Sequence, residues 1–500
     1  MIKSKLNRKL YILITIIIMM MFSACSSKNK EEIFESVSQL DGHNIGCMSG
    51  SIFDALISEK FPNSDIVYFG SRSELLLGLE TGKIDGFISD EPVAMMMISQ
   101  NKGVTYLDET VGEVEYGICF SNENKDKLIQ FNQYLAKIST NGHLKELQDK
   151  WINVDGASQK KEELTLSGEN GTLRCVTTPD AAPFSFLSDN IFQGFEVELL
   201  NEFCNEYGYN LEINTVNFDA LLTSVATNKY DVAFNGIYIT PERAKSVNFA
   251  NSTLNGRDVV MIRNGETVEK KGFIESIRDS FYHNFIEEDR YKLLISGAIT
   301  TLLISVFSII FGSLYGLLIH SLSNGYKSFR KVADFVQGLL AKLPAVVILM
   351  LLFYVVFNKS SISGLIVSVI GFSFMFGNTF YGLLKSGVAS VDTGQREAAL
   401  ALGYDTGKAF FRIILPQALK TVLDTYLKEV ANLIKNTSIV GYVSVNDVTR
   451  SSDIIRGRTY DALFPLIVVA IIYYLLCTLL VELVKKPLTS FLNKKVNYDD

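Results

Sequence analysis

Charged residues set inside apolar surroundings are the first feature of this sequence that could do chemistry. Lys428, Glu429 and Lys435 interrupt an otherwise apolar stretch, residues 426–443. Charges within a membrane span face a bundle interior or a water-filled path. A second pattern is Glu397-Ala398-Ala399, three residues, Gly403, nine residues, then Ile413-Ile414-Leu415-Pro416. Alanine lets a helix approach a neighbour closely, Gly403 breaks the helix, and Pro416 fixes the start of the next one. Other chemistries have no carrier here. No G-x-x-x-x-G-K-[ST] occurs, and Gly82-Lys83 and Gly407-Lys408 are followed by Ile and Ala, so the chain does not cradle nucleotide phosphates by that loop. Six Cys contain no C-x-x-C pair and there are four His. No metal site is expected.

These residues must be positioned by a chain of 500 residues, 48% apolar, with a mean hydropathy of +0.20. Such a length implies about three folded units. Forty-seven basic against 54 acidic residues leave a net charge of −7, which excludes nucleic-acid binding through a general basic field. Residues 293–319 and 362–384 carry no charge, and 464–481 is a third clean span closed by Glu482, Lys485 and Lys486; each suits an apolar slab about 30 Å thick. Residues 343–357 are apolar but short, and the half-polar 332–342 would supply the cytoplasmic first turns of the same span. With the amphipathic 426–443 segment this makes five helices, the fourth lining a pore; a cytoplasmic surface helix is the alternative for that segment. Lys327, Arg330 and Lys331, then Arg396, Lys408, Arg412 and Lys420, then Lys485, Lys486, Lys494 and Lys495 all fall on one side of a five-helix path. The positive-inside rule makes that side cytoplasmic. Arg450, Arg456 and Arg458 are the exception, lying outside with Asp447, Asp453 and Asp461 in partial balance.

Lys3, Lys5, Arg8 and Lys9 precede an apolar run, residues 10–22, too short to span comfortably, and Phe22-Ser23-Ala24-Cys25 comes next. This resembles a bacterial lipoprotein signal with Cys25 as the lipidated residue; an uncleaved anchor is the alternative. Either sends the residues after it outside. That outer part, 31–289, holds two stretches in which strands and helices alternate, joined by a polar linker at 153–171, and such alternation argues for parallel α/β lobes.

In the second stretch, Ala182-Pro183-Phe184, Gly194-Phe195-Glu196-Val197-Glu198-Leu199, Phe218-Asp219-Ala220-Leu221-Leu222, Lys229-Tyr230-Asp231-Val232 and Ile239-Thr240-Pro241-Glu242-Arg243 succeed one another. Together they resemble the first half of the two-lobed periplasmic amino-acid-binding proteins. Residues 40–151, with Gly50-Ser51, Gly82-Lys83-Ile84-Asp85-Gly86 and Ser89-Asp90-Glu91, resemble the second half. The order is inverted, which implies one circularly permuted domain; a tandem of two degenerate domains is the alternative. A single covalent crossing between lobes is expected near 113–119, with lobe one tied to the permease. The resemblance implies that Arg243 clamps the α-carboxylate, Asp90 of the other lobe holds the α-ammonium, Phe218 and Phe184 cover the apolar stem, Ser51 donates beside the carboxylate, and Gly236 offers a carbonyl. Tyr238 stands where the family has Ser or Thr, and Ala181 and Thr178 depart from members that bind basic amino acids. Outside the resemblance, Arg243 could pair with Glu242, Asp90 could cap the helix before Glu91-Pro92, and Phe218 could be core.

Residues 293–486 resemble the polar amino-acid permeases of ABC importers. Glu397, Ala398, Ala399, Gly403 and Pro416 match the cytoplasmic coupling loop of that family at every anchor, with Leu343-Pro344 and Lys435-Asn436-Thr437-Ser438 in support. Lys435 either lines the path or contacts backbone carbonyls. The fold class expected is therefore a two-lobed α/β periplasmic-binding-protein-like domain followed by an all-α five-helix transmembrane ABC permease domain. The expected divisions are a signal or anchor (1–25), a tether (26–40), lobe two with the return to lobe one (41–152), the linker (153–171), lobe one (172–263), a second tether (264–290), the permease (291–486) and a cytoplasmic tail (487–500). The resemblance implies a polar amino acid as ligand, no cofactor on this chain, ATP on a separate ABC ATPase subunit, a homodimer and a cell-membrane location. An amino-acid-gated channel, for which Ile439-Val440-Gly441-Tyr442 is the nearest thing to a filter, and an amino-acid sensor are the alternatives.

Overall fold

The computed structural model describes residues 34–153, 159–188, 191–265 and 273–493, apart from 359, 361, 460 and 462; Cys25 and the apolar run before it lie outside these. The first stretch contains β1 (Asn44–Met48), α1 (Phe53–Lys60), β2 (Asp65–Phe69), α2 (Arg72–Glu80), β3 (Gly86–Asp90), α3 (Glu91–Gln100), β4 (Val104–Tyr116), β5 (Cys119–Phe120), α4 (Lys125–Thr140) and α5 (His143–Trp151). Ser71 begins α2 by accepting the Glu74 N–H, and Pro92 stands in the first turn of α3, where its missing N–H costs nothing. The second stretch contains β6 (Thr172–Thr177), β7 (Asp180–Ala181), β8 (Ser185–Ser188), β9 (Ile191–Gln193), α6 (Phe195–Tyr207), β10 (Asn210–Thr215), α7 (Leu221–Ala226), β11 (Val232–Ala233), β12 (Asn248–Phe249) and β13 (Leu254–Arg263).

Both stretches build both sheets. One sheet has the order β2-β1-β3-β13-β4 and the other β10-β6-β11-β5-β12. In each, parallel strands occupy one side, and antiparallel strands complete the other. Three expectations are corrected by this topology. The sequence reading puts residues 254–263 in lobe one, yet β13 lies between β3 and β4 in lobe two. Its Val259-Val260-Met261-Ile262 run is buried throughout, as a strand covered on both faces requires. The chain consequently crosses between lobes twice, from β4 to β5 and from β12 to β13, and leaves for the membrane from lobe two.

After α8 (Phe273–Phe281) come α9 (Tyr291–Gly325), α10 (Lys327–Leu340), α11 (Ala345–Leu351), α12 (Gly364–Ala389), α13 (Thr393–Ala401), α14 (Thr406–Ala409), α15 (Leu415–Asn436), α16 (Val448–Thr459) and α17 (Leu463–Asn493). Among the described residues three helices, α9, α12 and α17, are long and apolar enough to cross a membrane. A fourth crossing is made if α10 and the helix that runs from Ala345 to Val356 count as one, but they meet at 110°. The sequence reading makes 332–342 the first turns of a continuous span. Pro344 is extended, at φ −61 and ψ 136, and proline disfavours helix in the residue before it, so the chain turns there. The charged α15 fails the apolar test yet packs into the bundle through buried Val422, Tyr426, Val430 and Ile434, as a helix with an inward apolar face should.

Candidate functional site

The two sheets face each other across a cleft lined by Met48, Ser51, Phe53, Arg72 and Asp90 of lobe two and by Phe218, Gly236, Tyr238 and Arg243 of lobe one. Six of the seven residues singled out in the sequence meet here, although they come from positions 51 to 243. The space between them is only ≈ 20 Å³, about room for one water molecule. The lobes are closed. Gly50 of lobe two accepts from Arg243 Nη2 at 3.4 Å, and the Gly50 backbone lies against Asp219.

Arg243 stands on a short turn after Pro241, and its Nη1 gives a second bond to the Tyr238 carbonyl at 3.3 Å. Among the described residues no carboxylate lies within salt-bridge distance of it, so the Glu242 pairing is not formed. Burial lowers its pKa from the ordinary arginine value. A desolvated guanidinium with two long bonds to carbonyls is chemically suited to an anion.

Asp90 ends β3 and occupies the N-cap position of α3, but its side chain makes no capping bond; it accepts instead from the Tyr116 hydroxyl at 3.4 Å. Directly across the ladder stands Asp258 of β13, 1% exposed, accepting from the Tyr238 hydroxyl at 2.6 Å. Burial pushes the Asp258 carboxyl up to about 7, against the Tyr238 bond and with help from the Asp90 charge. Two buried carboxylates side by side favour a cation between them.

Phe218 is half-buried, with the Arg72 guanidinium 5.9 Å from its ring centre. Phe184 is placed differently from expectation. Its ring is 1% exposed and lies under Gly236, where an added Cβ would come within 2.7 Å of it, and against Tyr116 at 4.9 Å between centres. It forms the floor beneath the cleft and does not line it. The Gly236 N–H is held by Glu196 at 2.8 Å, and burial pushes that carboxyl up to about 8. Ser51 spends its hydroxyl on the Met48 carbonyl at 2.7 Å. Arg72, Tyr116 and Asp258 were missed. Each sits among polar neighbours in the sequence, so no local pattern marks it out.

The outer ends of the membrane helices touch the lobes. Arg450 of α16 donates to the Val216 carbonyl at 2.6 Å and to Asn217 at 3.0 Å. Tyr230 bonds Ser444 at 2.7 Å, and Lys229 reaches the carbonyls of Phe357 and Ser360 at 3.1 and 3.2 Å. From lobe two, Glu74 accepts from Arg456 at 3.2 Å. At the far ends of α12 and α15 lies the coupling-loop pattern. Asp392 and Asp405 cap α13 and α14, and Gly403 takes φ 84, a value that favours glycine. Glu397 and Ala398 are exposed and Ala399 is buried, while Leu402 is 78% exposed. Pro416 sits in the first turn of α15. Lys435 is exposed in the last turn of α15.

Comparison with known proteins finds two kinds of relative. The family model of bacterial extracellular solute-binding proteins, family 3, matches residues 173–453. A putative glutamine transport system permease protein GlnP of Rickettsia felis is 30% identical over 192 residues, 37% of this chain and 87% of that protein. The arginine transport system permease protein ArtQ of Bacillus subtilis is 30% identical over 193 residues, again 37% and 87%. The crystal structure of an amino acid ABC transporter with histidines is 26% identical, covers 45% of this chain and 100% of that one, and superposes with a TM-score of 0.37. Lobes built around a closed cleft and docked on membrane helices that carry this homology make one combination: the chain belongs to the family 3 solute-binding proteins and carries an amino-acid ABC permease fused behind its binding lobes, a multi-pass membrane protein of an amino-acid importer.

Proposed function

We propose that this chain captures a polar amino acid outside the membrane and passes it through a homodimeric permease powered by a separate ATPase subunit. One observation carries the capture step: Arg243 from one lobe and Asp90 from the other converge on one cleft, with Asp258 behind Asp90 as its cross-strand neighbour, which gives each charge of a zwitterion a buried partner. We read the outer part as one permuted binding domain, supported by sheets shared between both stretches. The relatives are named for glutamine and arginine transport, and amino acids of that polar size are the first to try.

For the power step, the exposed Leu400, Leu402 and Phe411 around the α13–α14 turn offer an apolar knob at the end of the bundle opposite the lobes. Apolar side chains presented to water in a cluster suit a protein groove. The deciding experiment is calorimetric titration of the full chain in lipid nanodiscs with the twenty amino acids. Saturable binding of a polar member is expected, and uptake into vesicles should require the ATPase and ATP. Binding to none would overturn the capture step, and conduction without ATP would favour a channel.

A further inference from the structure

Beside the cleft lies a second, partly open cavity of ≈ 310 Å³, lined by both lobes and by the permease residues Tyr442, Arg450 and Asp453. It is far roomier than the cleft, and Met48, Arg72 and Phe218 line both spaces. The partition between them is therefore a cation on a ring, with Arg72 set 5.9 Å from the centre of Phe218. Three guanidiniums mark the way across: Arg243 in the cleft, Arg72 in the partition and Arg450 in the chamber. Arg450 is 8% exposed, and its Nε–H has no hydrogen-bond partner among the described residues, although its other nitrogens hold lobe one. A buried guanidinium N–H left unsatisfied costs free energy that an anionic ligand removes. Asp219 and Asp453 also line the chamber, so it offers partners for an ammonium as well as for a carboxylate.

We infer that this chamber is a second amino-acid site, filled as the ligand leaves the cleft, in which the α-carboxylate passes from Arg243 to Arg72 to Arg450 while Asp219 and Asp453 hold the α-ammonium. The inference rests on the capture reading above and adds a defined place between receptor and permease. Its lining comes from both lobes and from the permease, so a ligand held there lies between the receptor and the path.

The test is equilibrium dialysis of the full chain in nanodiscs against radiolabelled L-glutamine and, separately, L-arginine. Two molecules per chain are expected at saturation for the accepted probe, one tight and one weaker by tenfold or more. The isosteric D219N/D453N double variant should keep the tight site within about twofold and lose the weaker one. A single site in the unaltered chain overturns the inference and leaves the capture reading standing. Two sites that survive in D219N/D453N overturn it as well. Loss of all binding by the unaltered chain overturns both readings together.

Discussion

Replacing Arg243 with methionine separates a binding group from a strut, because the two roles give opposite signs. In the free chain the Arg243 guanidinium donates, among the described residues, to two backbone carbonyls alone, at 3.3 and 3.4 Å, with no described carboxylate in reach, while burial opposes its charge. Methionine of similar length keeps the packing and removes the desolvated cation, so the unliganded chain should melt at the same temperature or higher. Binding should behave otherwise. Removing one partner of a buried, hydrogen-bonded charge pair costs about 2–5 kcal/mol, which is roughly 30- to 5,000-fold in Kd. Ligand at a thousand times the original Kd stabilises the native chain by about 4 kcal/mol. In R243M the same concentration should supply about 2 kcal/mol at the mild end and nearly nothing at the severe end. Scanning fluorimetry of the full chain with and without the amino acid identified by titration measures both quantities. A free chain that melts lower while Kd stays within about threefold would refute the reasoning and make Arg243 a structural strut.

Three further outcomes rest on the same geometry. Because burial lifts Asp258 to about 7, the folded free chain holds more protons than the unfolded one between roughly pH 4 and 7, so its stability should fall as pH rises through that window. An α-ammonium favours the ionised carboxylate, so affinity should rise with pH toward 7 with proton release, visible by titration at pH 6 in buffers of different ionisation enthalpy; D258N should flatten the profile, and an opposite slope would refute the assignment. At Gly457 of α16 an added Cβ would lie 2.2 Å from the Asp180 Cβ of lobe one. G457A should therefore cost about 1–3 kcal/mol of docking, read as faster hydrogen exchange across 178–181, and unchanged exchange would show that the contact is not needed. L402A, which trims a side chain that is 78% exposed, should leave amino-acid binding unaltered and lower amino-acid-stimulated ATP hydrolysis by the partner; full stimulation would remove α13–α14 from the coupling role.

Legibility tracked locality. Motifs whose residues sit close in sequence, such as the coupling pattern with its Gly403 turn, could be read because one turn of backbone positions them. The membrane helices were legible as long runs, except where Pro344 bends the chain by 110°, a geometry that hydropathy does not encode. The cleft was legible only through resemblance, since Ser51, Asp90 and Arg243 are brought together by two sheets. Asp258 escaped notice because its partner is a cross-strand neighbour from the other stretch. The same long-range pairing explains why β13 was placed in the wrong lobe: the sequence shows an apolar run and not which sheet receives it. Phe184 matched a motif, yet its ring turns under Gly236.

The arginines that broke the charge rule are explained by burial. A basic residue retained outside needs a reason other than topology, and Arg450 and Arg456 are 8% and 5% exposed, spent on the two lobes. They are not spent equally. Lobe one is held to the permease through Val216, Asn217, Tyr230 and Lys229, whereas lobe two meets it through Glu74, 3.2 Å from Arg456. Opening the cleft must break whichever lobe contact is weaker. Lobe two should therefore swing while lobe one stays docked, bending at the two crossings between β4 and β5 and between β12 and β13. The Arg456–Glu74 bridge then forms only when the lobes close. Arg456 also holds Asp453 at 3.0 Å, in the wall of the chamber beside the cleft. If lobe two swings in this way, closure is tied through one guanidinium to the wall of that cavity.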